Sequence, residues 1–259
     1  MGRTGVRGRQ VRLIDTSGIS ETSLVLPPLP RVPPGSSGSP VLPVLPALRS
    51  LFPGDGPRRG TVVSVLGGLG GTSLLLALLA GVSAAGGWCA TVGLPALGPP
   101  AAAELGVDLE RLAAVPVPGP RWANVTAGLL DGFDAVAIRP PARVRAGDTR
   151  RLLGRARERG AVLFTAGSWE GAELRMSVSA PRWQGVDEQG HGRLRARCLA
   201  VRVEGRGAAA RPRLAMLWLP APGGGCVAAE TPTAVGLGTA VHGTHHGVYG
   251  LTPLPRIAT

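Results

Sequence analysis

The chain contains no lysine: all 28 of its basic side chains are arginine. This removes the amine cation on which nucleotide-hydrolysing loops depend. It also points to GC-rich coding, so part of the net charge of +12 and the pI of about 11.5 is compositional. Aromatic residues make up only 3%, which leaves little material for stacking bases. The three cysteines, Cys89, Cys198 and Cys226, are odd in number and lack CxxC spacing. That excludes a disulfide framework and a zinc site, and it favours a reducing, cytoplasmic setting. The opening MGRTGVRGRQVRLID has no apolar segment of the secretory kind. Finally, no charged residue occurs between Arg59 and Glu104.

That uncharged interval holds the run on which the reading depends, Thr61 to Gly87, TVVSVLGGLGGTSLLLALLAGVSAAGG. It is long enough for a membrane span, with Arg58 and Arg59 as a positive flank. Gly67, Gly68, Gly70 and Gly71 break such a helix, so the run is read instead as a strand, a glycine turn and a helix. No membrane contact is expected.

With 44% hydrophobic residues, 259 residues can bury one substantial core plus tails. Residues 1–50, with LPPLPRVPPGSSGSPVLPVLP, lack periodicity and are expected to form a disordered Pro/Gly-rich arm. Its proline-rich stretches could also present apolar side chains to a partner from an extended helix. The folded domain is expected over residues 51–220, with a flexible tail over 221–259. Strands are expected at Thr61–Leu66, Trp88–Leu94, Arg111–Val117, Asp134–Ile138 and Ala161–Thr165. Helices are expected at Thr72–Ala85, Ala101–Leu105, Arg121–Leu130 and Asp148–Arg159. Alternation of this kind requires crossovers, hence an α/β fold with a mainly parallel sheet. After Gly167, the stretches ELRMSVSA, GRLRARCLAVRVEGRG and RLAMLWLP alternate with period two, as antiparallel strands with one solvated side do.

A phosphate-binding loop has the form GxxxxGK[ST] between a strand and a helix; its amides cradle phosphates, its lysine neutralises them and its hydroxyl holds magnesium. Here the slot reads LGGLGGTS. Aligning Gly71 with the second glycine puts Leu66 at the first, Thr72 at the lysine and Ser73 at the hydroxyl. The carboxylate that holds the metal normally ends an apolar strand, but DAVAIRPP ends in Arg139, and WCATVGLP ends without an acid. Gly67, Gly68, Gly70, Gly71, Thr72 and Ser73 therefore form a degenerate phosphate loop. Neither ATP hydrolysis nor any cofactor is expected, and what remains is an anion site on the amides or plain packing of helix on sheet.

From Leu51 to Pro220 the chain resembles the RecA-like core in its shortened ImuA/SulA-related form, found beside translesion polymerases. The resemblance rests on the strand, glycine turn and helix, on WCATVGLPALGPPAAAELGVDLERLAAVPVP with its LGVDLERL, and on AGLLDGFDAVAIRPP. GHGRLRARCLAVRVEGRG and RPRLAMLWLP are similar to the ImuA-type ending. The missing lysine and carboxylates, and the lack of RecA-type DNA loops, depart from the family pattern. The resemblance implies a non-catalytic accessory subunit of SOS-induced translesion synthesis. Its implied partners are an ImuB-like Y-family protein and an error-prone replicative-type polymerase, with RecA and DNA as further contacts. The alternatives are an ATP-binding, DNA-dependent recombinase relative and a SulA-like inhibitor of cell division.

Two arginine sets are candidate contacts with DNA or an acidic partner. In the first, Arg143, Arg145, Arg150, Arg151, Arg155 and Arg159 lie in one loop and helix. Arg151, Arg155 and Arg159 share a helix face at i, i+4 spacing, and only Asp148 and Glu158 oppose them locally. In the second, Arg193, Arg195 and Arg197 fall on one face of a strand. The same features describe a solvated face in an arginine-biased chain. Trp183 and Trp218 are read as core residues, and Asp108 and Glu110 as turn groups. His242, His245 and His246 have no Cys or carboxylate beside them and are not read as a metal site. No combination of nucleophile, base and orienting group is present.

Overall fold

The structure is a computed structural model that describes residues 12–13, 40–187 and 191–229. In chain order its elements are β1 (Arg12–Leu13), β2 (Val62–Leu66), α1 (Gly71–Ala84), β3 (Cys89–Val92), α2 (Pro99–Glu104), β4 (Leu112–Val115) and α3 (Trp122–Leu130). They continue with β5 (Ala135–Ile138), α4 (Ala146–Arg159), β6 (Val162–Ala166), β7 (Leu174–Val186), β8 (Gly192–Gly205), β9 (Arg213–Trp218) and β10 (Val227–Ala228). Among the described residues the strands form one sheet in the order β1-β4-β3-β5-β6-β2-β7-β8-β9-β10. Every pairing from β1 to β7 is parallel, and those from β7 to β10 are antiparallel. The α/β reading, with an antiparallel C-terminal part, holds.

The central strands are apolar on both faces because both faces are covered. Val63, Val65, Ala137 and Phe164 pack into the cluster that contains α1. Their neighbours Val62, Val136, Ile138 and Leu163 point the other way, into the cluster under α3 and α4. The expected uncharged run thus divides into a 5-residue strand and a 14-residue helix. No helix among the described residues is long and apolar enough to cross a membrane.

Helix α1 is apolar around its whole circumference, with Leu74, Leu75, Leu76, Leu78, Leu79 and Val82 all buried. Such a helix needs cover on the side away from the sheet as well. Residues 40–52 supply it: Leu42, Leu48, Leu51 and Phe52 are buried in the same cluster, and Pro46–Leu51 form a 3-10 helix. The backbone of Val44 and Leu45 passes so close to Gly81 that a Cβ there would meet it at 2.5 Å. The Arg213 guanidinium donates to the Ser50 carbonyl at 3.1 Å and so ties β9 to this segment.

These contacts correct the expected boundaries. The segment from Pro40 to Ser50 is core rather than arm, and Arg12–Leu13 pairs in parallel with Ala113–Ala114 at the sheet edge. At the other end, Ala221 and Ala229 are buried against Cys198 and Trp218, and β10 extends the sheet beyond Pro220. The rest of the expected arm and tail lies outside the described residues. At the lower rim, Asp134 accepts from Arg59 through Oδ1 and from the Trp88 N–H through Oδ2, both at 3.1 Å.

Replacing Gly81 by Ala should therefore lower stability by about 1–3 kcal/mol, the range for overpacking a filled interior. Urea unfolding checks this. An equal change for Gly132→Ala, where an added Cβ meets nothing within 4 Å, would show that helix contacts at Gly81 are not the cause.

Candidate functional site

In an open α/β sheet, ligands collect in the crevice beyond the carboxyl ends of the strands. Strand β2 ends there, between β6 and β7, and the glycine turn leads from it into α1. Gly70 takes φ 117° as the N-cap, a conformation that favours glycine, and α1 begins without a side-chain cap. Gly67, Gly68, Gly71 and Thr72 line a cleft of about 310 Å³ together with Arg139 and Gly167. Arg139 is the one charged residue in that lining. The cleft thus has amides and a guanidinium but no carboxylate to hold a metal or orient a water.

Arg197 departs from expectation. It does not share an exposed face with Arg193 and Arg195; only 6% of it is exposed, and it sits beneath the turn. Its Nη2 donates to Ser73 Oγ at 2.7 Å and its Nε to the Leu219 carbonyl at 2.9 Å. Its guanidinium also stacks over Trp183, 4.9 Å from the ring centre. No carboxylate pairs with it among the described residues, and burial lowers its pKa. Ser73, the hydroxyl at the magnesium position of the sequence pattern, is thereby engaged by an internal cation.

Trp183 is correspondingly not a core residue, whereas Trp218 is. The pairing of β7 with β2 stops at Ser177, and that of β9 with β8 begins at Cys198. The remainder of β7 and β8 is a two-stranded ribbon with register shifts at 179/182 and 184/186. It carries exposed Trp183, Val186, Leu194, Arg193 and Arg195.

On α4 the spacing places Arg151, Arg155 and Arg159 as expected, but the anion that meets two of them is internal. Asp131, at the end of α3, accepts from Arg155 Nε at 2.6 Å and Nη2 at 2.8 Å, and from Arg159 Nε at 3.1 Å. The hydrogen bond and charge of Asp131 raise the Arg155 pKa. Arg151 meets Asp148 at 3.5 Å, and Arg155 also meets Glu158 at 3.3 Å. Arg143, Arg145 and Arg150 are exposed and form no ion pair among the described residues. Asp131 escaped the sequence reading because it faces α4 only through the packing of α3 on α4.

Asp108 caps a 3-10 turn, accepting from the Glu110 N–H at 3.1 Å. The Cys89 thiol is fully buried against the Leu79 carbonyl, and burial pushes the Cys226 thiol up to about 12, so neither is an activated nucleophile. No group of three or more His, Cys, Asp or Glu that could hold a metal occurs among the described residues. His242, His245 and His246 lie outside them.

The fold and turn define a three-layer α/β protein with a lysine-free glycine turn at the carboxyl rim of its parallel strands. A family model, the MT3502 N-terminal domain, matches residues 50–171, which is the parallel part from the 3-10 segment through β6. The chain is 40% identical over 149 residues to the uncharacterized protein Rv3395c of Mycobacterium tuberculosis, a match covering 53% of this chain and 71% of that relative. The chain belongs to this family.

Three variants test these contacts. Arg197→Ala should cost about 1–3 kcal/mol, since it leaves Ser73 and the Leu219 carbonyl without their donor. It should also speed amide exchange in residues 182–186; unchanged exchange there would show that Arg197 does not hold the ribbon. If the chain binds DNA through the ribbon, Arg193→Ala/Arg195→Ala should weaken binding and reduce the salt slope by about 0.7–0.9 per lost contact. Arg155→Ala/Arg159→Ala should leave the slope nearly unchanged, because Asp131 and Glu158 already pair with those two arginines.

Proposed function

We propose that the chain is a RecA-like accessory subunit of SOS-induced, error-prone DNA repair that works by contact and turns over no nucleotide. The single observation that carries this reading is the charge pattern around the glycine turn. Arg139 stands where a metal-binding carboxylate belongs, and Ser73 is held by Arg197. A phosphate-loop frame with this electrostatics repels magnesium, and it has no lysine to offset charge in a phosphoryl transfer. The strand order supports the RecA-like assignment in the same way, with the glycine-turn strand β2 between β6 and β7 and the LGVDLERL stretch leading into β4.

In this role the ImuB-like Y-family protein and the error-prone polymerase are the proposed partners, and DNA and RecA are further contacts through the exposed arginines. Translesion synthesis in the cytoplasm is the setting, and no cofactor is required.

Four measurements test the reading together. Deleting the gene should reduce damage-induced mutation, and the tagged chain should retrieve a Y-family-type subunit after DNA damage. Thr72→Ala should complement the deletion fully, and calorimetry with magnesium and ATP should show no saturable binding. Micromolar, magnesium-dependent ATP binding that Thr72→Ala abolishes would instead make the chain a nucleotide-dependent recombinase relative. Retrieval of a tubulin-like polymer protein would make it a division inhibitor.

A further inference from the structure

A second cleft lies at the opposite rim, beside the amino ends of β2, β6 and β7. It is larger than the one at the glycine turn, about 580 Å³, within the range of clefts that hold small ligands or short peptide segments. Three arginines line it: Arg58 ahead of β2, Arg157 in the last turn of α4, and Arg206 after β8. They come from segments far apart in sequence, so only the fold brings them together. All three are exposed, and none forms an ion pair among the described residues. The one carboxylate in the lining, Glu173, pairs with none of them.

On α4, by contrast, Asp131 stands between Arg155 and Arg159. At this cleft three arginines share the lining with one carboxylate, Glu173, which leaves an excess of positive charge. That excess favours an anion over a cation or a neutral ligand. Guanidinium forks are suited to carboxylate or phosphate oxygens. The rest of the lining is apolar or glycine, including Pro40, Val41, Pro53, Ala172 and Leu174. It contains no aromatic ring on which a base could stack, which disfavours single-stranded nucleic acid.

We propose that this cleft docks an acidic, partly apolar segment of a partner protein, with Arg58, Arg157 and Arg206 binding its carboxylates. The inference rests on reading the chain as a contact subunit and adds a contact surface separate from the glycine turn. Glu173 remains in the ladder during docking, because its N–H donates to the Val62 carbonyl and its own carbonyl accepts from Arg206 N–H.

The test is fluorescence anisotropy of the full chain with a labelled octapeptide of alternating Asp and Leu. Saturable binding is expected, weakened about tenfold or more in Arg157→Ala/Arg206→Ala and in a peptide with Asn for Asp, as loss of charge-assisted hydrogen bonds implies. Arg111→Ala, which lies outside both arginine sets and pairs with Asp108 ahead of β4, should bind as the parent does. Urea midpoints of the double variant should match the parent's, since both side chains are exposed and form no ion pair among the described residues. Absence of saturable binding, or equal affinity in the double variant, overturns the proposal. So does displacement of the peptide by oligo-dT or by inorganic phosphate at equal concentration, which would assign the cleft to nucleic acid or to a small anion. A chain that binds the peptide while its gene deletion leaves mutation rates intact would fail the repair reading alone.

Discussion

A helix without a polar face can exist in water only when protein surrounds it, and α1 imposes that condition on the rest of the molecule. The parallel sheet covers one side through Val63, Val65 and Phe164, and residues 40–52 cover the other through Leu42, Leu48 and Phe52. The second cover passes so close at Gly81 that no side chain fits between. Residues of this proline-rich segment therefore belong to the core, although they have neither helical nor strand periodicity. Burial, not hydrogen-bonded repetition, holds them in place.

At the upper rim the same helix starts at a turn built like a phosphate cradle, but the charges around it have a different use. Arg197 reaches in from β8 and binds Ser73, the Leu219 carbonyl and the face of Trp183. A buried guanidinium without a counter-ion is expensive to desolvate, and its retention fits a specific structural task. Here that task is to fasten the base of the β7–β8 ribbon to the start of α1. The turn thus joins the parallel part, of which the family model covers β2 to β6, to the antiparallel strands beyond residue 171.

With every basic residue an arginine, the charge total alone does not mark a binding surface. Position separates the arginines into groups. Arg155 and Arg159 are paired with Asp131 and Glu158, Arg59 with Asp134, and Arg197 is enclosed. Arg193 and Arg195 on the ribbon, and Arg58, Arg157 and Arg206 at the lower cleft, keep their charge available at two ends of the sheet.

Much of the fold was legible in the sequence. Strand and helix alternation from Thr61 to Thr165, the glycine turn, the switch to period-two strands after Gly167 and the missing lysine and acids all follow from local pattern. Local pattern works for these because backbone geometry turns spacing directly into helix or strand. What spacing does not carry is the identity of neighbours from distant segments. The cover over α1 from residues 40–52, the inward turn of Arg197, the exposure of Trp183, the pairing of Asp131 with α4 and the convergence of Arg58, Arg157 and Arg206 were decided by tertiary packing alone. In each case the energy depends on burial or on a charge partner tens of residues away. The uniform apolarity of α1 was the one sequence signal that a second cover had to exist, but it did not say which segment would provide it.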